Sequence, residues 1–441
     1  MGATAGEWFI PSDKIEADGT AGMKKNITSS FRSCQAVEIF STAFLFISRA
    51  HEKGIKRFKP LSAFHHGLHV SYDLYNQIIF MLTAHADFTL INGSGEFIIN
   101  EIKAETLTQV LSKMLNTEIA HADFQTKQLH GGTVGDVQLV SGNAKTADGG
   151  TLPYKIVVKT QKKWERYGDP QSWRREYDFY ISNFGALFSE SFRWPQCYHA
   201  EMSEEENETQ IWMEYIEGIS GLDLTGDMYE HAAEGLGRFQ GQLYAEQPAF
   251  LQNMTNLSKV DYMKNFYFHY RSWNRVYDYI RSDDCEIPKH ICNMLIEIDA
   301  SADEIINRIE KLPIVLCHRD FWVTNLIYSD GKITLIDWDT TGLGYLGEDM
   351  ASLIADEADI EHMVEYYHRC IPAYYKGFSE YADISHIADN CIYEMILLMF
   401  GYRLVEWFMD AASGNKLQET NDERTLHLLT LQKIFEMRNE Q

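Results

Sequence analysis

Hydrophobic positions after residue 104 follow two rhythms. Leu107, Val110, Leu111 and Met114 recur at three- and four-residue spacing, the stripe of an amphipathic helix. The run KQLHGGTVGDVQLVSG at 127–142 alternates instead, interrupted by glycines, and LPYKIVVKTQ at 152–161 is rich in β-branched residues. Between them lies the turn Ala147-Asp148-Gly149-Gly150, so the two runs predict a hairpin. Helical spacing returns in SWRREYDFYISNF at 172–184, and ETQIWMEYIEG at 208–218 predicts a strand ending at Gly218, after a solvated acidic loop at Glu204-Glu205-Glu206. Beyond 220 the pattern predicts helices near 228–245, 258–282, 287–311, 347–371, 384–412 and 420–438. One stretch interrupts them. Residues 313–339 read as strand, loop, strand, a turn at Ser329-Asp330-Gly331, and strand, with apolar strands at 314–317 and 333–336. The expected architecture is α+β: a small β-rich lobe over 105–217 and a larger helical lobe over 218–441 carrying a short β insert.

Residues 1–104 have a different character. They balance ten basic against ten acidic side chains and hold five of the sixteen histidines. The cluster HHGLH (His65, His66, His69) has no Cys or acidic side chain at ligand spacing, so it reads as an exposed loop rather than a metal site. Residues 75–91 are apolar but mix helix and strand signals, and Met23 opens MKKNITSS, which resembles an alternative start. The segment is expected to be an N-terminal extension, its role not assigned by the sequence.

Composition narrows the function classes. With 441 residues, two or three domains are expected. Hydrophobic residues at 45 % and charged residues at 23 % suit a globular protein. The net charge of −25 lies wholly in 105–441, where 29 basic face 54 acidic side chains. Nucleic acid, which needs a basic face, is therefore not an expected partner, whereas a cationic small molecule would be drawn in. The seven cysteines are scattered without a CxxC, which points to a reducing, cytoplasmic setting. The apolar run at 43–48 is too short to span a bilayer and no signal-peptide pattern opens the chain, so no membrane partner is expected; the sequence is silent on oligomeric state.

The candidate chemistry lies in VLCHRDFWVTNLIYSDGKITLIDWD at 315–339. Asp320 sits in a loop after an apolar strand, Asn325 follows five residues on, and Asp337 follows the next apolar strand. If the strands pair as a hairpin turning at Asp330-Gly331, their outer ends meet and the three side chains converge. A carboxylate and an amide oxygen suit a hard cation such as Mg²⁺. A second carboxylate nearby can take or orient a hydroxyl proton. That combination suits phosphoryl transfer, in which positioning and charge neutralisation dominate.

HRDFWVTN and LIDWD resemble the catalytic and metal-binding segments of the aminoglycoside phosphotransferase and choline kinase-like group, small-molecule relatives of the protein kinases. The resemblance covers roughly 105–441. It implies a protein-kinase-like two-lobe fold, with nucleotide binding in 105–217 and the catalytic loop and acceptor site in 218–441. It implies that Asp320 is the catalytic base, that Asn325 and Asp337 hold Mg²⁺ on the phosphates of ATP, and that His318 is a catalytic-loop residue that fixes the loop. This group more often has Gly at the position of Arg319, and the chain contains neither Asp-Phe-Gly nor Ala-Pro-Glu. Upstream, Lys159 in IVVKT and Glu176 in RREYDFY stand where a kinase has its phosphate-binding lysine and the glutamate that holds it. Gly131, Gly132, Thr133 and Gly135 in HGGTVGDV match the phosphate-covering turn, although no Gly-Lys-Ser/Thr follows. Glu214, Tyr215 and Ile216 match the hinge that receives adenine. Asp349, before the apolar run 350–354, reads as a helix N-cap at a place where the family has a structural Asp. Asp339 is placed near the metal or at a turn.

The acceptor is expected between Asp320 and the helices after 355. Asp356, Glu357, Asp359, Glu361, Glu365, Tyr366, Tyr367, Tyr374 and Tyr375 make that region acidic and aromatic, and Tyr402, Glu406 and Trp407 lie at helical spacing beyond it. Carboxylates suit an aminoglycoside-like acceptor and aromatic faces a choline-like cation. The competing reading is a nucleotide-binding pseudokinase or scaffold, opposed by the filled catalytic positions.

Overall fold

The computed structural model describes residues 102–441 apart from 130–134, 165–168, 170, 206, 255, 258–259, 262–263, 266, 268–274, 357–358, 389, 412–416 and 440–441. The chain divides into two units, Met1–Glu101 and Ile102–Gln441. His65, His66, His69 and Met23 therefore lie outside the described residues, as do Gly131, Gly132 and Thr133 of the glycine turn and Glu357 of the acceptor region.

The second unit begins with helix α1 (Ala104–Leu115), followed by strands β1 (Ile119–Ala122), β2 (Gln125–Gln128), β3 (Gly135–Thr146) and β4 (Thr151–Lys162). Helix α2 (Ser172–Ile181), β5 (Phe192–Arg193), β6 (Cys197–Met202) and β7 (Glu208–Glu214) complete the first lobe. Its antiparallel sheet has the order β1-β3-β4-β7-β6, with β2 also pairing β3. The predicted hairpin is β3–β4, in register from Gly135 opposite Gln161 to Lys145 opposite Thr151. Strand periodicity divides the faces. Ile156, Val158 and Trp212 pack with Leu107, Val110 and Leu111 of α1. Ile211 and Met213 point the other way, against Tyr180 of α2.

The chain then runs through α3 (Gly226–Glu246), α4 (Ala249–Asn253), α5 (Arg275–Tyr279), α6 (Lys289–Ala300) and α7 (Ala302–Ile309). The insert follows as β8 (Ile314–Cys317), β9 (Leu326–Ser329), β10 (Lys332–Leu335) and β11 (Gly342–Tyr345). Last come α8 (Glu348–Ala355), α9 (Met363–Ser379), α10 (Cys391–Ile396), a π-helical turn at Leu397–Gly401, α11 (Tyr402–Ala411) and α12 (Leu417–Asn439). Helices α3 and α9 pack at backbone contact. A Cβ on Gly237 would stand 2.1 Å from the Tyr374 carbonyl oxygen, and one on Gly377 2.3 Å from that of Glu234. No helix among the described residues is long and apolar enough to cross a membrane.

Several elements depart from the sequence pattern. The predicted helix 287–311 is two helices, broken at Ser301, which leaves helical geometry at φ −106°, ψ 5°. The predicted 347–371 ends at Asp356 and resumes at Met363. The predicted 384–412 is re-registered by the π-helical turn. Of 258–282, only part is described, with helix at Arg275–Tyr279. In the insert, the hairpin turning at Asp330-Gly331 is β9–β10, both turn residues having positive φ, as a type I′ turn requires. Strand β8 stands outside that hairpin and pairs antiparallel with β11.

Candidate active site

The site is assembled from the ends of these strands. After β8 the backbone turns sharply at Arg319, whose φ is +66°. Side chains with a Cβ pay for this left-handed geometry and Gly does not. The turn is held by Asp349 from the first turn of α8. One carboxylate oxygen accepts the His318 N–H at 2.8 Å and the other accepts the Arg319 N–H at 2.7 Å. Gln240 of α3 donates to the same carboxylate and to the Leu316 carbonyl, both at 2.9 Å, and receives the Tyr374 hydroxyl at 2.6 Å. Asp349 is thus no N-cap, as the sequence suggested. Gly347 occupies the cap position, and Asp349 is a buried anchor for the loop. Burial pushes its carboxyl up to about 6 against the hydrogen bonds that favour its charge.

His318 is also buried. Its Nε2 stands 3.0 Å from the Ile336 carbonyl oxygen, so the neutral ring donates there, and Trp338 meets the ring edge-on at 4.7 Å. Burial holds its pKa down at about 4, so the imidazole is neutral at physiological pH. This bond ties the loop carrying Asp320 to the segment carrying Asp337. A second tie is the Ile336 N–H donating to the Asn325 carbonyl at 3.0 Å.

Asn325 closes a 3₁₀ turn, Val323–Asn325, and its Nδ2 donates to the Asp320 carbonyl at 2.9 Å and to the Asp320 carboxylate at 2.8 Å. Burial pushes the Asp320 carboxyl up to about 7, and Asp337 adds to the rise, while the Asn325 bond opposes it. Asp337, with φ +65°, meets Lys159 Nζ at 2.6 Å, and Lys159 meets Glu176 Oε2 at 2.5 Å. Burial opposes the charge on Lys159, but Asp337 and Glu176 outweigh it and raise its pKa. The order Glu176–Lys159–Asp337 spans the first lobe and the insert. Gly135 lies beside this lysine, where a Cβ would stand 3.2 Å from the Thr160 carbonyl oxygen and 3.9 Å from Lys159 Cε.

The hinge residues separate. Glu214 ends β7, donates its N–H to the Gln196 carbonyl at 2.9 Å and pairs through its carboxylate with Arg193. Its N–H is therefore committed to the protein. Tyr215 and Ile216 follow, half-buried, with Lys155 Nζ 5.0 Å from the Tyr215 ring. The linker then docks on the insert: Ile219 and Tyr328 exchange backbone hydrogen bonds at 2.9 and 2.8 Å. A Cβ on Gly218 would meet the Tyr328 oxygen at 2.4 Å, so that approach requires glycine.

Arg175 escaped sequence reasoning, and Arg319 enters it only at a position where the resembling group more often has Gly. Arg175, next to Glu176 and fully buried, forks onto Asp169 at 2.9 and 2.6 Å and donates to the Asp339 carbonyl at 2.5 Å. It locks α2 to the segment after Asp337, where Asp339 is buried. Arg319 turns inward, 3.6 Å from Glu348, and donates to the Leu343 carbonyl of β11.

Most of the acidic and aromatic residues proposed around the acceptor are structural. Tyr374 and Tyr367 are buried in the core, Tyr366 stacks on Tyr229 at 4.2 Å, and Tyr402 packs near Tyr267. Tyr375 is half-buried at the edge of that core, and Glu406 is buried. Asp359 engages His362 at 2.8 Å, Glu365 engages Arg369 at 3.3 Å, and Glu361 is exposed. Asp356 and Trp407 remain, and they meet at Arg403.

Oxygen donors near a lysine that would face phosphates fit a hard divalent cation. Asn325 supplies an amide oxygen, since its nitrogen is spent on Asp320, and Asp337 keeps about a quarter of its side chain exposed (27 %). No group of three or more His, Cys, Asp or Glu among the described residues is arranged to share a metal.

Comparison with known proteins adds the family. No curated protein matches the chain. Among solved structures, choline kinase from Cryptosporidium parvum is 15 % identical, with 72 % of this chain and 90 % of that chain covered at a TM-score of 0.46. An aminoglycoside 2′-phosphotransferase in its GDP complex is 13 % identical, with 77 % and 100 % covered at 0.46. A microcompartment-associated aminopropanol kinase is 12 % identical, with 75 % and 94 % covered at 0.43. The family model described as phosphotransferase enzyme family matches residues 166–382, which include Glu176, Asp320, Asn325, Asp337 and Asp349. Over that segment, just under half of the chain, the sequence is similar to the phosphotransferase enzyme family.

Proposed function

We propose that the protein transfers the γ-phosphoryl group of ATP to a hydroxyl of a small, amine-bearing acceptor, an aminoglycoside-like or amino-alcohol compound. The observation that carries this is the convergence of two polar networks at one place: Glu176–Lys159–Asp337 from the first lobe, and Asn325–Asp320 from the insert. Lys159, held by Glu176, takes the α/β-phosphates. Gly135 beside Lys159 leaves the backbone room at the phosphates, and Tyr215 and Ile216 receive the adenine. Asn325 and Asp337 would hold Mg²⁺, which supplies charge neutralisation at the phosphates when bound. Asp320 orients the acceptor hydroxyl and takes its proton as the oxygen forms its bond to the γ-phosphorus; the bond from that phosphorus to the β,γ-bridging oxygen breaks and ADP leaves. A base near pKa 7 is suited to that task at neutral pH. His318 and Asp349 position the loop from behind.

The acidity of 105–441 supports a cationic group on the acceptor. The six described cysteines are free thiols, which supports a cytoplasmic setting. The test is ADP release by the full chain with Mg²⁺-ATP and a panel of aminoglycosides, choline, ethanolamine and hydroxy acids, with Asp320→Ala alongside. Acceptor-dependent release, reduced about 10²–10⁴-fold in the variant, supports the reading. Nucleotide binding without any Asp320-dependent transfer would favour a scaffold.

A further inference from the structure

Cys285 and Cys292 bring their thiols together at the start of α6. The two sulfurs stand 3.6 Å apart. Both also face one acceptor, the Ile287 carbonyl oxygen, at 3.9 Å from Cys285 Sγ and 3.6 Å from Cys292 Sγ. The local fold explains the convergence. Pro288 occupies the N-cap of α6, and its carbonyl accepts the Ile291 and Cys292 N–H groups at 2.9 and 3.2 Å, so Cys292 lies in the first turn. Cys285 ends the turn that leaves α5, its N–H donating to the Ser282 carbonyl at 3.5 Å. Between the two, the Glu286 N–H donates to the Tyr279 hydroxyl at 3.0 Å, and the Glu286 carboxylate meets Arg424 of α12 at 2.7 Å. These bonds fold the segment 282–292 back on itself and hold both thiols on its inner side.

The two thiols differ in environment. Cys292 is 5 % exposed and belongs to the core of the helical lobe. Burial pushes its thiol up to about 12, and neighbouring Cys285 adds to the rise. As a protonated thiol it does not open an attack on an oxidant. Cys285 is half-buried, and Ser282, Asp283, Asp284 and Glu286 beside it are exposed, so a small molecule in solution reaches Cys285 first. Three carboxylates and one guanidinium lie in 281–286, and that guanidinium, Arg281, is drawn to Asp299 at 3.3 Å. The surface at Cys285 is therefore negative and favours a neutral oxidant over an anionic one. The sulfurs of Cys197 and Cys317 face backbone carbonyls, those of His199 and Tyr345.

We infer that Cys285 and Cys292 form a modification site, an oxidisable dithiol that a neutral hydroperoxide closes into an intramolecular disulfide. The Cys285 sulfur attacks one peroxide oxygen, the O–O bond breaks and water leaves, so the peroxide is reduced and Cys285 becomes a sulfenic acid. The Cys292 sulfur then attacks Cys285 Sγ. The S–O bond breaks, the S–S bond forms, and the departing oxygen leaves as water with the Cys292 proton. Two thiols and one hydrogen peroxide give one disulfide and two waters. The sulfurs are already in contact, and side-chain rotation brings them to the roughly 2 Å of a bond. The closed ring ties the turn after α5 to the first turn of α6. That helix carries Leu295 against the π-helical turn, where a Cβ on Gly401 would stand 2.7 Å from Leu295 Cδ2. Closure thus pins a helix on which the α10–α11 junction rests. This chemistry is independent of phosphotransfer.

The experiment uses the full chain, reduced, freed of reductant and exposed to a slight molar excess of hydrogen peroxide. Free thiols are then counted after denaturation, and cysteine peptides are mapped by mass spectrometry. The first product should be a cross-link between Cys285 and Cys292, with two thiols fewer per chain, reversed by dithiothreitol. The oxidised chain should melt about 2–5 °C above the reduced one, and Cys285→Ser should show neither the cross-link nor the shift. Cys292→Ala should leave Cys285 as a sulfenic acid that dimedone traps. If that variant fails to fold, the map of the unsubstituted chain decides the matter alone. Recovery of Cys285 and Cys292 as thiols while other cysteines are oxidised overturns the inference. So does a disulfide that joins either one to a different cysteine. A cross-linked chain that melts below the reduced one also overturns it, because the fold would then oppose closure.

Discussion

The carboxylate of Asp349 receives two consecutive backbone N–H groups, those of His318 and Arg319, at 2.8 and 2.7 Å. A turn with positive φ at Arg319 exposes both donors to one side, and the first turn of α8 delivers a single forked acceptor to them. Asp320 is the next residue, so its direction is set by this fork from behind and by Asn325 from the front.

Removal of the fork should therefore cost both stability and rate. Asp349→Ala orphans two buried N–H groups and the Gln240 amide, each bonded to a charged acceptor. Such bonds contribute about 1.5–3 kcal/mol each, and a total loss of about 3 kcal/mol or more is expected by urea denaturation. Asp349→Asn keeps the shape and one acceptor oxygen. It should unfold later than the Ala variant yet show reduced kcat with an unchanged KM for ATP. An Asn variant with wild-type kcat would show that Asp320 does not depend on the fork.

Asp320 should impose a pH dependence on both activity and stability. Its carboxyl is raised to about 7 by burial and by Asp337, with smaller contributions from Asp339 and Asp356. As a base it works when ionised, so kcat/KM should rise with pH and level off above about 7. Asp356→Asn removes a negative neighbour, and the inflection should move down. The stability effect has the opposite sense. An unfolded Asp titrates near 3.9 and the folded one near 7, so between these values the folded state binds more protons and stability falls as pH rises. Asp320→Asn should therefore stabilise the protein at pH 8 relative to wild type, on the order of 1 kcal/mol or more, and much less at pH 5. Equal effects at the two pH values would mean that the carboxyl is not raised.

Lys159 and Asp337 are expected to share the nucleotide site in different ways. Lys159→Met keeps the aliphatic stem but leaves Glu176 and Asp337 without their common cation, and nucleotide affinity should fall about tenfold or more. Asp337→Asn retains a partner for Lys159 but removes a charged oxygen. Its loss should appear as a higher Mg²⁺ concentration for half-maximal nucleotide binding, followed by a fluorescent ATP analogue. An unchanged Mg²⁺ requirement would exclude Asp337 as a metal ligand.

The resemblance to the kinase-like group singled out the order of these residues, and periodicity places each on a strand or helix. Lys159 is on a β-branched run, Glu176 is on a helical stripe, and Asp320, Asn325 and Asp337 flank short apolar strands. The partner of β8 was not legible. Strand β11 reads Gly342-Leu343-Gly344-Tyr345, and two glycines in four residues carry no alternation to detect. The aromatic and acidic residues after 355 misled for a related reason. Composition locates them on one stretch of chain, but only packing decides that Tyr366, Tyr367 and Tyr374 turn to the core while Asp356 pairs with Arg403. Asp349 was assigned as a cap because its carboxylate partners lie thirty residues upstream, beyond any local rule.

Arg319 offers the sharpest test of how the loop is held. Its φ of +66° is a geometry that Gly adopts without strain, and relief of that strain is worth about 1 kcal/mol. Arg319→Gly would then be harmless if the backbone were the whole story. The side chain argues otherwise. It is paired with Glu348, whose carboxylate also accepts the Tyr345 N–H at 2.8 Å, and both side chains are 1 % exposed. Burial already pushes Glu348 up to about 7 even with Arg319 opposing the rise. Without the guanidinium, Glu348 moves higher still. The folded state then keeps it protonated where the unfolded chain ionises it, so stability falls as pH rises from about 4 through that higher folded value. Arg319→Gly should accordingly be tolerated near pH 5 and lose several kcal/mol at pH 8, the scale for one half of a broken buried pair. Arg319→Gly combined with Glu348→Gln should erase most of that pH dependence. If the single variant is equally stable at both pH values, the pair carries no charge-dependent stabilisation and the arginine serves through hydrogen bonds such as that to Leu343.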